Sequence, residues 1–191
     1  SSKTYLPNYG ESSEGRWFSV AAEGTVVTIA GTTVFVDSET LYPVADTMLG
    51  VEICEDLLAP IPPSSVHALS GAEVIVNLAA SPEIAGKRAL RREQVKEKSE
   101  SCKCVYAYAS AGYTESTSDL VFSGHSIIAE NGVVLLENGN LTDTDYMIVQ
   151  DCDLGKIRAS RRKNTTFRRS AEAFGIHEAV VSYPGSFRAD G

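Results

Sequence analysis

Short apolar runs rich in β-branched residues, broken by Gly, Pro and polar clusters, dominate the pattern along the chain. Such runs read as strands. Thr-Val-Val-Thr-Ile and Thr-Val-Phe-Val flank Ala-Gly-Thr between Gly24 and Val36 and predict a hairpin, with residues 37–43 as a connector. Thr47 to Ile53 predicts a short strand that delivers Cys54, and Pro60, Pro62 and Pro63 mark a loop after it. A short helix to Ser70 follows, with Ser64 or Ser65 as its N-cap. Glu73 to Leu78 reads as a buried strand, and Ser81-Pro82-Glu83 opens a charged helix reaching about Cys102.

Val105 to Ala109 predicts a further strand, and Gly112 to Asp119 a polar loop. Leu120 to Phe122 and His125 to Ala129 lead into Asn131-Gly132, a hairpin turn, with Val133 to Leu136 returning. Tyr146 to Cys152 is read as a last strand, and a basic helix covers Leu154 to Lys163. From Arg168 onward little pattern is visible. Strands of hairpin and crossover type alternating with two or three helices predict an α+β or α/β layered domain.

Composition narrows the class. A length of 191 residues and 43% hydrophobic content suit one domain with its own core. The net charge of -8 opposes general binding to nucleic acid or an anionic membrane, both of which favour a basic face. No apolar run approaches the roughly 20 residues that span a bilayer, and the start lacks the order of a signal peptide. The expected location is the cytoplasm. Four scattered cysteines, Cys54, Cys102, Cys104 and Cys152, are too few for a disulfide framework. Cys102 and Cys104 have neither a second pair nor a nearby His, so zinc is not expected.

Cys54 is the candidate nucleophile. It stands in Gly-Val-Glu-Ile-Cys-Glu-Asp, where an apolar strand ends in a thiol at a sheet edge. Three carboxylates surround it, Glu52, Glu55 and Asp56, and acidic neighbours disfavour a thiolate. Thiol chemistry there needs a cation from elsewhere. Lys3, in Lys-Thr-Tyr-Leu-Pro-Asn-Tyr, is the candidate.

Those two segments, with Val-Asn-Leu-Ala-Ala-Ser, Tyr-Ala-Ser-Ala-Gly-Tyr-Thr-Glu-Ser-Thr-Ser-Asp and Gly-His-Ser-Ile-Ile-Ala-Glu-Asn-Gly, resemble the nitrilase, or carbon-nitrogen hydrolase, superfamily. Within it they are most similar to the glutaminase domains of glutamine-dependent NAD synthetases, and the likeness runs from Lys3 to about Phe167. The resemblance implies a four-layer αββα sandwich and a Cys-Lys-Glu triad that attacks the side-chain amide of glutamine and releases ammonia. It matches Cys54 to the nucleophile and Lys3 to the triad lysine. The triad glutamate of the family lies upstream of that lysine, so the sequence reads as a domain without its first strands and helix. Glu14 matches a second family glutamate that positions the lysine or assists the base, although Ser12-Ser13 precede it where the family carries Phe-Tyr. Ser81 matches a substrate contact; Lys87 or Arg88 would supply a cation for the substrate carboxylate, and Tyr9 and Glu55 would face its ammonium.

The same resemblance implies residues 1–167 as the glutaminase domain and 168–191 as an extension or the start of a linker. It implies no cofactor for this domain. ATP and Mg²⁺ belong to a synthetase domain that converts deamido-NAD to NAD, and no Ser-Gly-Gly-x-Asp-Ser loop occurs here. Expected partners are glutamine, that synthetase domain and further copies of the chain. Two other readings stand: a free-standing amidase, nitrilase or carbamoylase on the same fold, and a non-catalytic fragment. His125 is expected to hold a loop near the site, while His67 and His177 lie in unremarkable surroundings. The basic cluster Arg158, Arg161, Arg162, Lys163, Arg168 and Arg169 is read as a helix face or a surface toward another domain.

Overall fold

Strand formation follows the apolar runs. The computed structural model describes residues 1–10, 12–22, 24–139 and 147–176. The hairpin is β1 (Thr25–Ile29) and β2 (Thr32–Val36), paired antiparallel and separate from the main sheet. The main sheet has six strands in sequential order: β3 (Leu41–Val44), β4 (Thr47–Ile53), β5 (Val74–Ala79), β6 (Val105–Ser110), β7 (Ser126–Glu130) and β8 (Val133–Glu137). β4, β5 and β6 run parallel; the outer pairings are antiparallel.

Two crossovers join the parallel strands, through α1 (Pro63–Leu69) and α2 (Lys87–Ser101). Both step in the same direction across the sheet, and right-handed crossovers then place both helices on one face. Burial agrees. Gly50, Ile75, Tyr106 and Ala129 lie in register across β4 to β7 and are all buried, as are Glu52, Asn77, Tyr108 and Ile127 in the next row. The alternate rows, including Val51, Val76, Ala107 and Ile128, are apolar but only half-buried on the opposite face. A sheet apolar on both faces is built to be covered on both, as in a layered sandwich. The described residues supply one helical layer and one sheet layer of that architecture. α3 (Leu154–Lys163) and α4 (Thr165–Ala173) complete the helices; α4 packs on α1, and its Phe167 seats against the core.

Several expected elements are corrected. Residues 37–43 are not all connector, because Leu41–Val44 forms the edge strand β3. Its Pro43 is tolerated there since a missing N–H costs little at a sheet edge. α1 begins at Pro63 with Pro62 in the cap position, so neither Ser64 nor Ser65 caps it. α2 begins at Lys87, preceded by Gly86 at φ 82°, several residues after the Ser81-Pro82-Glu83 start expected for it. Leu120–Phe122 forms no strand: the Ser116 and Thr117 hydroxyls accept from the Phe122 and Leu120 amides and hold a loop. Tyr146 lies outside the described residues, and 147–152 are not a strand, with Met147 and Val149 exposed.

The stretch after Arg168 is not featureless, since α4 runs through it to Ala173. Asn164 starts that helix by accepting from the Phe167 amide at 2.9 Å. His177 lies outside the described residues.

The basic cluster divides. Arg158 pairs with Glu73 at 2.7 Å and reaches Asp46. The Arg161 guanidinium donates to the carbonyls of Ala72, Cys102 and Lys103, and stacks 4.9 Å over the Phe167 ring. These two arginines fasten α3 to the sheet.

Candidate active site

The strand β4 ends at Ile53, and the next residue turns sharply. Cys54 has φ 52°, in the left-handed region that side chains with a Cβ avoid, and it opens a 3₁₀ turn spanning Cys54–Leu58. Strain of this kind persists where surroundings hold it. Here the holder is Asn77, fully buried on the neighbouring strand β5. Its Oδ1 accepts from the Cys54 amide at 3.0 Å, while its Nδ2 donates to the Cys54 carbonyl and to the Tyr106 hydroxyl. Beneath it, buried Glu52 accepts from the Ser64 amide, from Asn77 and, in a short contact, from the Tyr106 hydroxyl. Burial and the adjacent Glu52 push the Tyr106 phenol well above its ordinary range, so it stays a donor.

Lys3 reaches the same place from the other end of the chain. Its ammonium contacts both oxygens of Glu14, at 2.7 and 2.6 Å, and Lys3, Glu14 and Cys54 line one cavity of about 700 Å³. The structure therefore brings together the thiol, the cation and the second glutamate read from the sequence. Glu14 opens a 3₁₀ turn, Glu14–Arg16, anchored by the Glu14 amide on the Pro7 carbonyl.

A second cavity, of about 250 Å³, is also bounded by Cys54 and Glu14. Tyr9, Glu14, Glu55, Ser81, Lys87, Arg91 and Tyr108 line it. The Tyr9 hydroxyl donates to Glu55. Arg88 is elsewhere: its guanidinium pairs with Glu137 and donates to the Asn138 carbonyl. Of the two cations considered, Lys87 lines the cavity and Arg88 does not.

Arg91 is the residue that sequence reading missed. It is 3% exposed, donates to the Ser81 hydroxyl at 3.4 Å and to Glu83 at 3.1 Å, and lies 5.9 Å from the Tyr108 ring centroid. Its buried Nε has no partner. Helical spacing from Lys87 was the available signal, since i and i+4 share a face. Burial alone would raise Glu83, but hydrogen bonds from Ser123 and Arg91 outweigh it and hold the carboxyl below its usual range. His125, expected to hold a loop, is fully buried between Arg91 and Glu137, at 2.8 and 2.9 Å. Burial lowers its pKa, which suits a neutral ring with Nδ1 accepting from Arg91 and Nε2 donating to Glu137.

The fold and this strained cysteine turn define the class. The carbon-nitrogen hydrolase family model matches residues 6–162, and the chain belongs to that family. The match contains Cys54, Glu14 and the lining of the smaller cavity and begins after Lys3.

Among relatives, the glutamine-dependent NAD(+) synthetase of Mycobacterium leprae is 37% identical over 183 residues, covering 94% of this chain and 26% of its own. The crystal structure of a glutamine-dependent NAD(+) synthetase from Cytophaga hutchinsonii aligns with TM-score 0.61 and 30% identity, over 73% of this chain and 22% of the other. A carbon-nitrogen hydrolase structure from Helicobacter pylori G27 aligns with TM-score 0.63 at 16% identity, over 87% of this chain and 56% of the other, and shares the fold. The chain spans about a quarter of the length of the synthetases it matches. Among the described residues no helix is long and apolar enough to cross a membrane.

Proposed function

We propose that the protein is a glutamine amidohydrolase domain whose ammonia serves the ATP-dependent conversion of deamido-NAD to NAD. The observation that carries this reading is the strained Cys54 turn facing the Lys3–Glu14 ion pair across one cavity. Family membership and the names of the synthetase relatives support the substrate.

An amide is a poor electrophile, so the reaction needs a thiolate, a proton for the leaving nitrogen and donors for the tetrahedral oxyanion. The Cys54 sulfur attacks the side-chain carbonyl carbon of glutamine, forming a C–S bond. The Lys3 ammonium, held by Glu14, favours the thiolate and stabilises the oxyanion. The thiol proton passes to a carboxylate base, a role the family gives to a glutamate upstream of the lysine, and then to the amide nitrogen as the C–N bond breaks. Ammonia leaves, and water resolves the thioester to glutamate. The smaller cavity fits the α-groups of glutamine, with Tyr9 and Glu55 toward the ammonium and Ser81 and Lys87 toward the carboxylate. ATP and Mg²⁺ belong to the ligase step, and assembly into homo-oligomers is part of the same proposal.

Product release from glutamine, asparagine, short aliphatic amides and a short nitrile tests the substrate. Glutamine is expected to be the preferred substrate, with turnover abolished in Cys54→Ser; preference for the nitrile would assign the protein to a free-standing nitrilase class.

A further inference from the structure

Asp56 is fully buried, and among the described residues it has no cationic partner. Its carboxylate is instead satisfied by three backbone amides. Oδ1 accepts from Thr4 at 3.0 Å and Tyr5 at 2.9 Å; Oδ2 accepts from Ile53 at 3.0 Å. Thr4 follows Lys3 in the chain, and Ile53 precedes Cys54. One carboxylate thus grips the backbone beside the cation with one oxygen and the backbone beside the nucleophile with the other.

We propose that Asp56 is a positioning residue that sets the place of the Lys3 ammonium relative to the Cys54 sulfur. The inference rests on the reading of Cys54 and Lys3 given above. Capping the 3₁₀ turn after Cys54 would require only the Ile53 contact. The contacts to Thr4 and Tyr5 join segments 52 and 51 residues apart. Neither Thr4 nor Tyr5 belongs to a helix or strand, so no secondary-structure ladder fixes the segment. Upstream, the Ser2 amide donates to the Asp37 carbonyl at 2.7 Å. Downstream, the Tyr5 hydroxyl donates to the Ile61 carbonyl at 3.0 Å. Between these anchors Asp56 ties the backbone next to Lys3 to the nucleophile turn, while the Tyr9 hydroxyl reaches Glu55 of the same turn further along the segment. Burying a carboxylate is costly unless its oxygens find donors, and this one is spent on the juxtaposition.

The test is the rate of Cys54 alkylation by iodoacetamide at pH 7, resolved from the other cysteines by peptide mass spectrometry, with thermal melting as the folding control. The set is wild type, Lys3→Met, Asp56→Ala, Asp56→Asn and Lys3→Met combined with Asp56→Asn. Lys3→Met is expected to slow alkylation at least tenfold and Asp56→Ala by a similar factor. Asp56→Asn keeps one oxygen that can accept from Thr4 and Tyr5, so it should recover part of the rate. In the Lys3→Met background Asp56→Asn should add less than twofold, because it acts through the lysine.

If Asp56→Asn slows alkylation by the same factor with and without Lys3, or a folded Asp56→Asn matches wild type, the positioning role is overturned. If Lys3→Met itself leaves the rate unchanged, the underlying reading of the site fails instead. Should Asp56→Ala not fold, the Asn variants and their double-variant comparison still decide.

Discussion

Two adjacent residues on α2 point to different places, one at the smaller cavity and one in the scaffold. Lys87 lines the smaller cavity beside Cys54, whereas Arg88 is committed to Glu137 and the Asn138 carbonyl. A cation that binds substrate and transition state equally changes KM and leaves kcat, and a charged hydrogen bond contributes about 1.5–3 kcal/mol. Lys87→Met should therefore raise KM for glutamine roughly 10- to 100-fold with kcat nearly constant, while Arg88→Met should move KM little. Steady-state kinetics on the two variants checks this, and an equal KM effect would refute the assignment. Cys54, Lys3 and Glu14 were legible in the sequence because short ordered motifs surround them. The choice between Lys87 and Arg88 was not, because it depends on where α2 begins. Gly86 at φ 82° sets that start, and no side-chain cap announces it. Arg91 shares the Lys87 face by its i, i+4 spacing, but its burial against Ser81 and Tyr108 shows only in the folded chain.

At the scale of elements, α1 packs closely on β4, the strand that leads into Cys54. Gly50 makes the approach possible: a Cβ there would meet His67 atoms at 2.7 to 2.9 Å. His67 is itself nearly fully buried and tied by Nε2 to the Ser38 carbonyl at 2.7 Å, so it has little room to retreat. Overpacking of this kind costs about 1–3 kcal/mol. Gly50→Ala should accordingly lower the melting temperature by roughly 2–12 °C, and combining it with His67→Ala should recover part of the loss. Additive losses in the pair would show that the contact is not the cause. Strands β4 to β8 were readable because their runs are rich in apolar and β-branched residues, even where Gly50, Glu52 or Asn77 interrupts them. β3 was hidden by Pro43, and α4 by the polar and basic residues around Phe167. Both elements are held by packing on neighbours rather than by strong local signals.

For the whole molecule, buried titratable groups set the response to acid. Burial holds both His67 and His125 below the ordinary histidine range. The unfolded chain then binds more protons than the folded one as pH falls through about 6.5, so stability declines there. Glu73, Glu83, Glu137 and Asp37 are also held low, by partners that outweigh burial for the last three and chiefly by Arg158 for Glu73. Their contribution is present above the unfolded carboxylate range and is lost below about pH 4. Melting temperatures should thus fall between pH 7 and 5 and again below 4. His67→Gln should flatten the first decline; an unchanged slope would remove His67 as its source.

The central claim is that Cys54 is the nucleophile toward glutamine, and the covalent intermediate tests it most directly. The protein is mixed with glutamine, quenched in acid within the first turnovers and digested for mass spectrometry. A glutamyl thioester on the Cys54 peptide, absent in Cys54→Ser and diminished in Lys3→Met, is the predicted result. Glutamate release without any adduct at Cys54, or an adduct on Cys102, Cys104 or Cys152 instead, would contradict it.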